Sequence, residues 1–425
     1  MTAKTMAEQV LSARSGTDAR AGDVVVCDVD VVLGTDGSGP MAIDYFGAMG
    51  GTRLARPGTV FFSLDHYAPP TTDATRAFHA RIRAFAAAHG ATVFGVGEGI
   101  SHQLAAERGI VRPGTLLAGA DSHAVTCGAL NAFAIGVGSS DLAAAMLTGQ
   151  AWLRVPQTIR VRLDGALGAG ASAKDAALTL VAMLGADGAD YHAIEFAGSG
   201  VATLGMDDRF VFSNLMVEAG AKAALFPFDA CTESYLFAAG VSASAYAPVA
   251  SHAGAAFAGD RVLDLSAIGP CVARPHAPDD VVVLADAAGT PVQMVFVGTC
   301  TGGRVADFHA MRRAFDAAGG RVAPGVQLVL TPASAPVLEA LMHDGTLTHL
   351  IAAGADVTTV GCGACCGTSG VIPSDGATVL STANRNFKGR MGAATARIFL
   401  ASPAVCGAAA ATGRIPSSLT DREAP

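Results

Sequence analysis

VGCGACCGTSGVIPSDGATVLSTANRNFKGRM, residues 360–391, opens with three cysteines in five residues (Cys362, Cys365, Cys366) and closes with two arginines, Arg385 and Arg390. Cysteine thiolates are soft-metal ligands, and a guanidinium fork matches a carboxylate with two parallel hydrogen bonds. A metal site and an anion clamp in one segment point to chemistry on a carboxylate held near a metal. That reading needs a third ligand, acid–base groups, and a reason to set aside a structural zinc.

Cys362 and Cys365 form C-x-x-C on a glycine-rich loop, where small neighbours let the backbone wrap closely around a bound group. Alone, the pair fits structural zinc, a redox dithiol or an iron–sulfur cluster. Zinc asks for a second C-x-x-C or a Cys/His pair at recognisable spacing, and none is present in the sequence. A thioredoxin-like dithiol sits at a helix N-terminus early in one small α/β domain, which fits this chain poorly. Cys300 stands 62 residues upstream of Cys362, in GTCTGG at the end of an apolar strand. One distant and two near thiolates can hold a cubane cluster at three corners, leaving the fourth iron open as a Lewis acid. Cys366 reads as a neighbour rather than a ligand. Cys27, Cys127, Cys231, Cys271 and Cys406 stand singly among apolar or small residues and read as buried thiols.

A chain of 425 residues exceeds one domain's usual size, so two or three domains are expected. The polar, proline-containing break RPHAPDD (274–280) is the expected linker. It divides an N-terminal α/β region of two interleaved sub-domains, 1–278, from a C-terminal α/β region, 279–425, that carries the cysteines and arginines. Hydrophobic residues make up 51% and charged residues 15%, the balance of a packed rather than a disordered chain. Mean hydropathy is high at +0.42, yet the apolar runs are short and none reaches the ~18 residues of a membrane span. The N-terminal MTAKTMAEQVLSARSG lacks the apolar core of an export signal. Nine cysteines without such a signal suit a reducing, cytoplasmic setting, as metal ligands or buried thiols rather than disulfides. With a net charge of −8 and no basic run, nucleic acid is not an expected partner.

Along the chain, short apolar strands alternate with helical patterns. Strands are expected at 23–33, 59–64, 91–96, 115–118, 158–163, 191–196, 222–226, 292–298, 326–331 and 357–360. Helices are expected at 41–49, 71–89, 173–184, 207–220, 305–318 and 335–344, with a polar helical lead-in over 1–22. The Gly/Ala-rich stretch 127–149 reads as one close-packed helix. This rhythm argues for an α/β fold, in which ligands bind beyond the ends of the strands. Asp65-His66, His102 and Asp121-Ser122-His123 all fall there. A single histidine reads equally as a satisfied core or surface residue. Three in equivalent positions, two beside an aspartate that can fix tautomer and basicity, read as acid–base groups. Glu218, one turn after Asn214, is a candidate carboxylate for the same site, against a solvated helix face. Arg385 and Arg390 read as a carboxylate clamp, with Asn384 and Asn386 adding polarity, against a basic surface turn.

In order, DH (65–66), GEGISHQ (97–103), GADSH (119–123), SNLMVEAGAKAALFPFD (213–229), CTGGR (300–304), GCGACCG (361–367), STANRNFKGRMG (381–392) and ASPAVCGAAAATGRIP (401–416) resemble the aconitase superfamily. The likeness is strongest to the large subunits of 3-isopropylmalate dehydratase and homoaconitase-like enzymes, and it spans residues 23–417. The resemblance implies an aconitase-like fold of several βα-rich three-layer sub-domains around a central cluster cleft. It implies a [4Fe-4S] cluster on Cys300, Cys362 and Cys365. It also implies removal and re-addition of water on a C-branched hydroxy di- or tricarboxylic acid such as 3-isopropylmalate, a step of leucine biosynthesis. Asp65, His66, His102, Asp121, His123 and Glu218 would handle protons and hydroxide. Asn384, Arg385, Arg390 and Ser122 would bind the substrate. The carbon-acid base of this family is a serine on a separate swivelling domain, so a small partner subunit is expected to supply it. Four departures stand out: Ala124 for the usual Thr, Gly302 for the usual Asn, Gly34-Thr35-Asp36 where His-Asp is common, and the extra Cys366. They widen the substrate expectation to other 2-alkylmalates, such as methylmalate, dimethylmalate or a secondary-metabolite analogue. A non-catalytic, RNA-binding iron sensor and a structural zinc or redox protein are the remaining alternatives.

Overall fold

The structure, a computed structural model, describes residues 3–419. The first two residues of the expected lead-in and the last six of the C-terminal region lie outside the described residues. Three sheets and a two-stranded ribbon carry the strands among them. A five-stranded sheet, wholly parallel, runs Thr92–Phe94, Val60–Ser63, Val31–Thr35, Leu116–Gly119, Phe133–Gly136. A second parallel sheet of four runs Ala223–Leu225, Ala193–Ala197, Thr158–Asp164, Gly259–Asp264. A third, of seven, has a parallel core ordered Arg397–Ala401, Thr378–Ser381, Met294–Gly298, Gln327–Thr331, Ala355–Val357. An antiparallel hairpin, Cys271–Ala273 with Val281–Val283, extends it at one edge. Residues 274–280, expected as a linker, form the turn of that hairpin.

Local chemistry explains most element ends. Helix Ala173–Leu184 forms as expected because Ser172 and Asp175 build a reciprocal capping box, each side chain accepting the other's backbone N–H (3.3 and 3.0 Å). Helix Asp73–His89 is capped the same way by Thr72 and Thr75, and stops at Gly90, whose φ of 77° suits a residue without Cβ. Three expectations are corrected. The strand expected over 23–33 is two: Val24–Asp28 pairs antiparallel with Gln150–Arg154, and after Val29-Asp30 the chain enters the five-stranded sheet as Val31–Thr35. The single helix expected over 127–149 is the end of a 3₁₀ segment (Ser122–Leu130), the strand Phe133–Gly136 and the helix Ser139–Thr148. A strand buried on both faces has no alternation, so FAIG looked like more helix. The helix expected to run from 207 to 220 tightens after Leu215 into a 3₁₀ turn, Met216–Ala219, which carries Glu218.

One apolar core joins all three sheets, with Leu33, Val161 and Phe296 among its members from successive sheets. Burial at about 25 cal/mol per Å² of apolar surface fixes the sheets against one another. Cys27, Cys127, Cys271 and Cys406 are buried thiols as expected, and Cys231 is half-buried. No helix among the described residues is long and apolar enough to cross a membrane.

The N-terminal helix Met6–Ser15 docks on Glu195, whose buried carboxyl accepts the Ala7 N–H (3.2 Å) and a hydrogen bond from Ser251. Burial pushes this carboxyl up to about 7. The unfolded chain releases the same proton near pH ~4.3. Between those values the folded state holds more protons, so stability falls as pH rises through the window. Glu195→Gln is therefore expected to be more stable than the parent at pH 8, by about 1–3 kcal/mol. The gap should shrink towards pH 5, as urea melts at the two pH values would show.

Candidate active site

The site is assembled at the C-terminal ends of the parallel strands of two sheets, where strand order reverses. In the five-stranded sheet, Val31–Thr35 lies between Val60–Ser63 and Leu116–Gly119, so the loops after these strands flank a switch point. Those loops carry Asp36, Asp65-His66 and Asp121-Ser122-His123, while His102 opens from helix Ser101–Glu107. In the seven-stranded sheet, Met294–Gly298 lies between Thr378–Ser381 and Gln327–Thr331. The loops after its strands carry Cys300, Cys362 with Cys365, and Asn384 with Arg385. Main-chain bonds join the two edges: Cys362 N–H donates to Asp65 O (2.9 Å), and Ile100 N–H to Ala333 O (2.9 Å). Gly361 permits this approach, since at its φ of 147° a Cβ would fall 2.6 Å from Asp65 O.

Both edges open on one cavity of about 140 Å³. The thiols of Cys300, Cys362 and Cys365 line one part of it, with Asn384, Arg385 and Arg390. His66, His102, Asp121, Ser122 and His123 line the other, with Ile100. Asp65 and Glu218 stand behind this wall. Eleven of the thirteen residues expected for the site thus share one cavity, and the other two back its histidines.

The histidine side of the cavity is a chain of charge pairs. His66 Nδ1–H donates to Asp65 Oδ1 (2.8 Å), and its Nε2 is 3.8 Å from Asp121 Oδ2. Burial works against the imidazolium, but Asp65 and Asp121 outweigh it and hold His66 well above the ordinary histidine range. Asp121 accepts the His123 N–H (2.8 Å) and has His102 Nδ1 at 3.9 Å. Although buried, its carboxylate is kept well below the usual range by His102, His66 and His123. Burial takes His102 down to about 4, so it is neutral, and both its ring nitrogens lack a protein partner. His123 Nε2–H donates to Glu218 Oε1 (3.0 Å). Arg385 Nε–H is shared between the two Glu218 oxygens at 2.7 and 3.0 Å. Glu218 stays below the usual carboxylate range despite burial because His123 and Arg385 face it. Arg385 keeps its two terminal amino groups without a protein hydrogen bond among the described residues, so the fork remains available to a ligand.

The thiol wall suits an iron–sulfur cluster. Burial pushes Cys300 up to about 11, so it becomes a thiolate when a metal replaces its proton. Its Sγ accepts from Asn214 Nδ2 (3.1 Å) and Asn384 Nδ2 (3.2 Å), the kind of donors that orient a ligating sulfur. Cys365 Sγ accepts from Arg390 Nη2 (3.5 Å), and neighbouring Cys362 together with Arg390 draws Cys365 towards thiolate against burial. Arg390 Nε is buried without a hydrogen-bond partner among the described residues. Cys366 is outside the cavity lining, its Sγ 2.8 Å from Thr368 Oγ1.

Residues 8–413 match the aconitase family (aconitate hydratase). The chain belongs to the aconitase family. As the sequence resemblance implied, it is a hydro-lyase whose cofactor is a [4Fe-4S] cluster, and the likeness to 3-isopropylmalate dehydratase and homoaconitase large subunits holds over nearly its full length. It is 40% identical to the 3-isopropylmalate dehydratase large subunit of Elusimicrobium minutum, covering 97% of this chain and 98% of that one. It is 40% identical to the 2,3-dimethylmalate dehydratase large subunit of Eubacterium barkeri, over 97% and 98% of the two chains. The homoaconitase large subunit of Thermus thermophilus is 40% identical, over 99% of each. Among solved structures, Thermococcus kodakaraensis aconitase X in its holo-form matches with a TM-score of 0.51, over 99% of this chain and 95% of that one. At 12% identity, that likeness concerns the aconitase-like α/β fold alone.

The aconitase-family site also contains residues that sequence reasoning passed over. Buried Asp36 accepts the N–H groups of His66 and Tyr67 (both 2.9 Å) and His79 Nε2–H (2.8 Å), fixing the loop that presents His66. Asp36, Asp65 and His66 have donor atoms within 4.8 Å of one another, but each is already engaged, so they form a hydrogen-bonded unit. Asp36 had drawn notice only as a departure from a motif, and His79 sits mid-helix with no local signal. Asn214 was noted beside Glu218, yet nothing local could link it to Cys300, 86 residues away.

Proposed function

We propose that this chain is the cluster-bearing large subunit of a hydro-lyase that dehydrates and rehydrates a C-branched hydroxy dicarboxylic acid of the 2-alkylmalate class. 3-Isopropylmalate is the first candidate, and 2,3-dimethylmalate the second. The observation that carries the proposal is the convergence, in one small cavity, of three thiols, three histidines each facing a carboxylate, and two arginines. Cys300, Cys362 and Cys365 would hold the cluster. When bound, the cluster supplies Lewis-acid polarisation of the hydroxyl that leaves. Arg385 and Arg390, with Asn384 and Ser122, hold a substrate carboxylate. His66, charged through Asp65 and Asp121, gives its Nε2 proton to the departing hydroxyl and takes it back on rehydration. His102 and His123, oriented around Asp121 and Glu218, hold the water formed.

The proton on carbon must go to another group. Every acid–base side chain of the cavity is already committed to the hydroxyl side, and relatives of this chain are named large subunits. A small subunit carrying a serine base completes the reaction in this reading. A reducing cytoplasm suits the three free thiols.

The test is the chain reconstituted anaerobically with iron and sulfide, co-purified with the small subunit, and assayed with 3-isopropylmalate, 2,3-dimethylmalate and homocitrate. Ultraviolet absorbance of the unsaturated acid should grow with one of the two alkylmalates, and neither subunit alone should turn over. Turnover confined to homocitrate, or full activity of this chain alone, would sink the proposal.

A further inference from the structure

Lys174 is 2% exposed, at the second residue of helix Ala173–Leu184. Lysine is almost never fully buried unless paired, because an unpaired ammonium away from water is costly. Among the described residues no carboxylate forms an ion pair with it. Its Nζ donates to Thr301 Oγ1 (3.1 Å), Thr382 O (2.9 Å) and Ala383 O (2.8 Å). Three oxygen acceptors match the three N–H bonds of an ammonium. The side chain leaves a helix that follows strand Thr158–Asp164 and touches strand Cys271–Ala273, and it ends between the two loops at the switch point of the seven-stranded sheet. Thr301 follows Cys300, and its hydroxyl also donates to Thr382 O (2.8 Å). Thr382 and Ala383 precede Asn384, which donates to Cys300 Sγ, and Arg385, which engages Glu218.

We propose that Lys174 is a positioning residue of the cluster site: its buried ammonium ties the Cys300 loop to the Asn384–Arg385 loop and supplies a positive charge beside the bound cluster. This rests on the ligand set proposed above. Three thiolates and the cluster sulfides make the bound group net negative, and a charge in a low-dielectric interior acts on it with little screening. Net charge and nearby dipoles are the protein's levers on cluster potential. Removing a cation should disfavour the more negative, reduced cluster and lower the potential. Releasing the two loops should also loosen the hydrogen bonds on Cys300.

Lys174→Met removes charge and hydrogen bonds at similar length; Lys174→Gln removes the charge and keeps polarity. Each chain, reconstituted with ferrous iron and sulfide, is measured for reduction potential and for bleaching in EDTA, with far-ultraviolet circular dichroism to check folding. Both variants are expected to show a lower potential and to bleach roughly 10–100-fold faster than the parent. A parent-like potential in the folded variants overturns the charge role, and parent-like bleaching overturns the tie. If Lys174→Met does not fold, Lys174→Gln decides. If the parent itself takes up no iron and sulfide, the cluster ligand set fails, not the role of Lys174.

Discussion

Cys300→Ser, Cys362→Ser and Cys365→Ser chains are each expected to come out of anaerobic reconstitution without the broad absorbance at roughly 400 nm of thiolate–iron charge transfer, while Cys366→Ser keeps it. The reason is positional. The three thiols line the cavity, and two of them accept hydrogen bonds from polar side chains, from Asn214 and Asn384 at Cys300 and from Arg390 at Cys365. Cys366 is outside that lining and has Thr368 Oγ1 as its hydrogen-bond partner. It is nevertheless the thiol that could mislead, because neighbouring Cys362 and His66 draw it down to about 6 despite burial. Reactivity and ligation are separate properties. Iron and sulfide analysis of the four variants decides the matter. Parent-like uptake by all three cavity variants would refute the assignment, and so would loss of the cluster in Cys366→Ser.

The second large effect is expected at Glu218. Glu218→Gln should lower kcat by about 10²–10⁴, the usual scale for a disrupted acid–base group, with a smaller change in KM. One carboxylate serves two partners, His123 Nε2 and Arg385 Nε. An amide has one oxygen for both donors, and its NH₂ would face one of them. His123 would lose its fixed tautomer, and the guanidinium would turn from its present direction. Because Glu218 is held below the usual carboxylate range, the parent should retain this pairing well into acid. A variant with parent-like kcat and an unchanged pH profile would show that the pair is only structural.

The cysteines and arginines were legible because each brings a chemistry that few residues share, at short spacing. The aspartate–histidine loops of the cavity were legible because strands in an α/β chain deliver their following loops to predictable ends. Residues that work through a partner far along the chain were not. Lys174 carries no local signal, and its acceptors lie 127, 208 and 209 residues away. Asp36 and His79 are 43 residues apart and meet only once the sheet and helix have packed. The same limit applies to the fold. Helix Ala173–Leu184 was read to its ends because its capping box is local, while Phe133–Gly136 was lost inside a helix because only its neighbours in the sheet make it a strand.

The seam between the two halves of the site is written in main-chain atoms: Cys362 N–H on Asp65 O, Ile100 N–H on Ala333 O, and Ala335 N–H on Glu98 O. Apart from Gly361 and Gly99, where a Cβ would crowd the facing main chain, these three bonds do not depend on side-chain identity. A lineage, or a laboratory selection, could exchange cavity residues to admit a longer or more branched acid and still inherit the alignment of metal and proton machinery intact. Such a junction would let one scaffold diversify over many acids, each new pocket beginning from a working geometry.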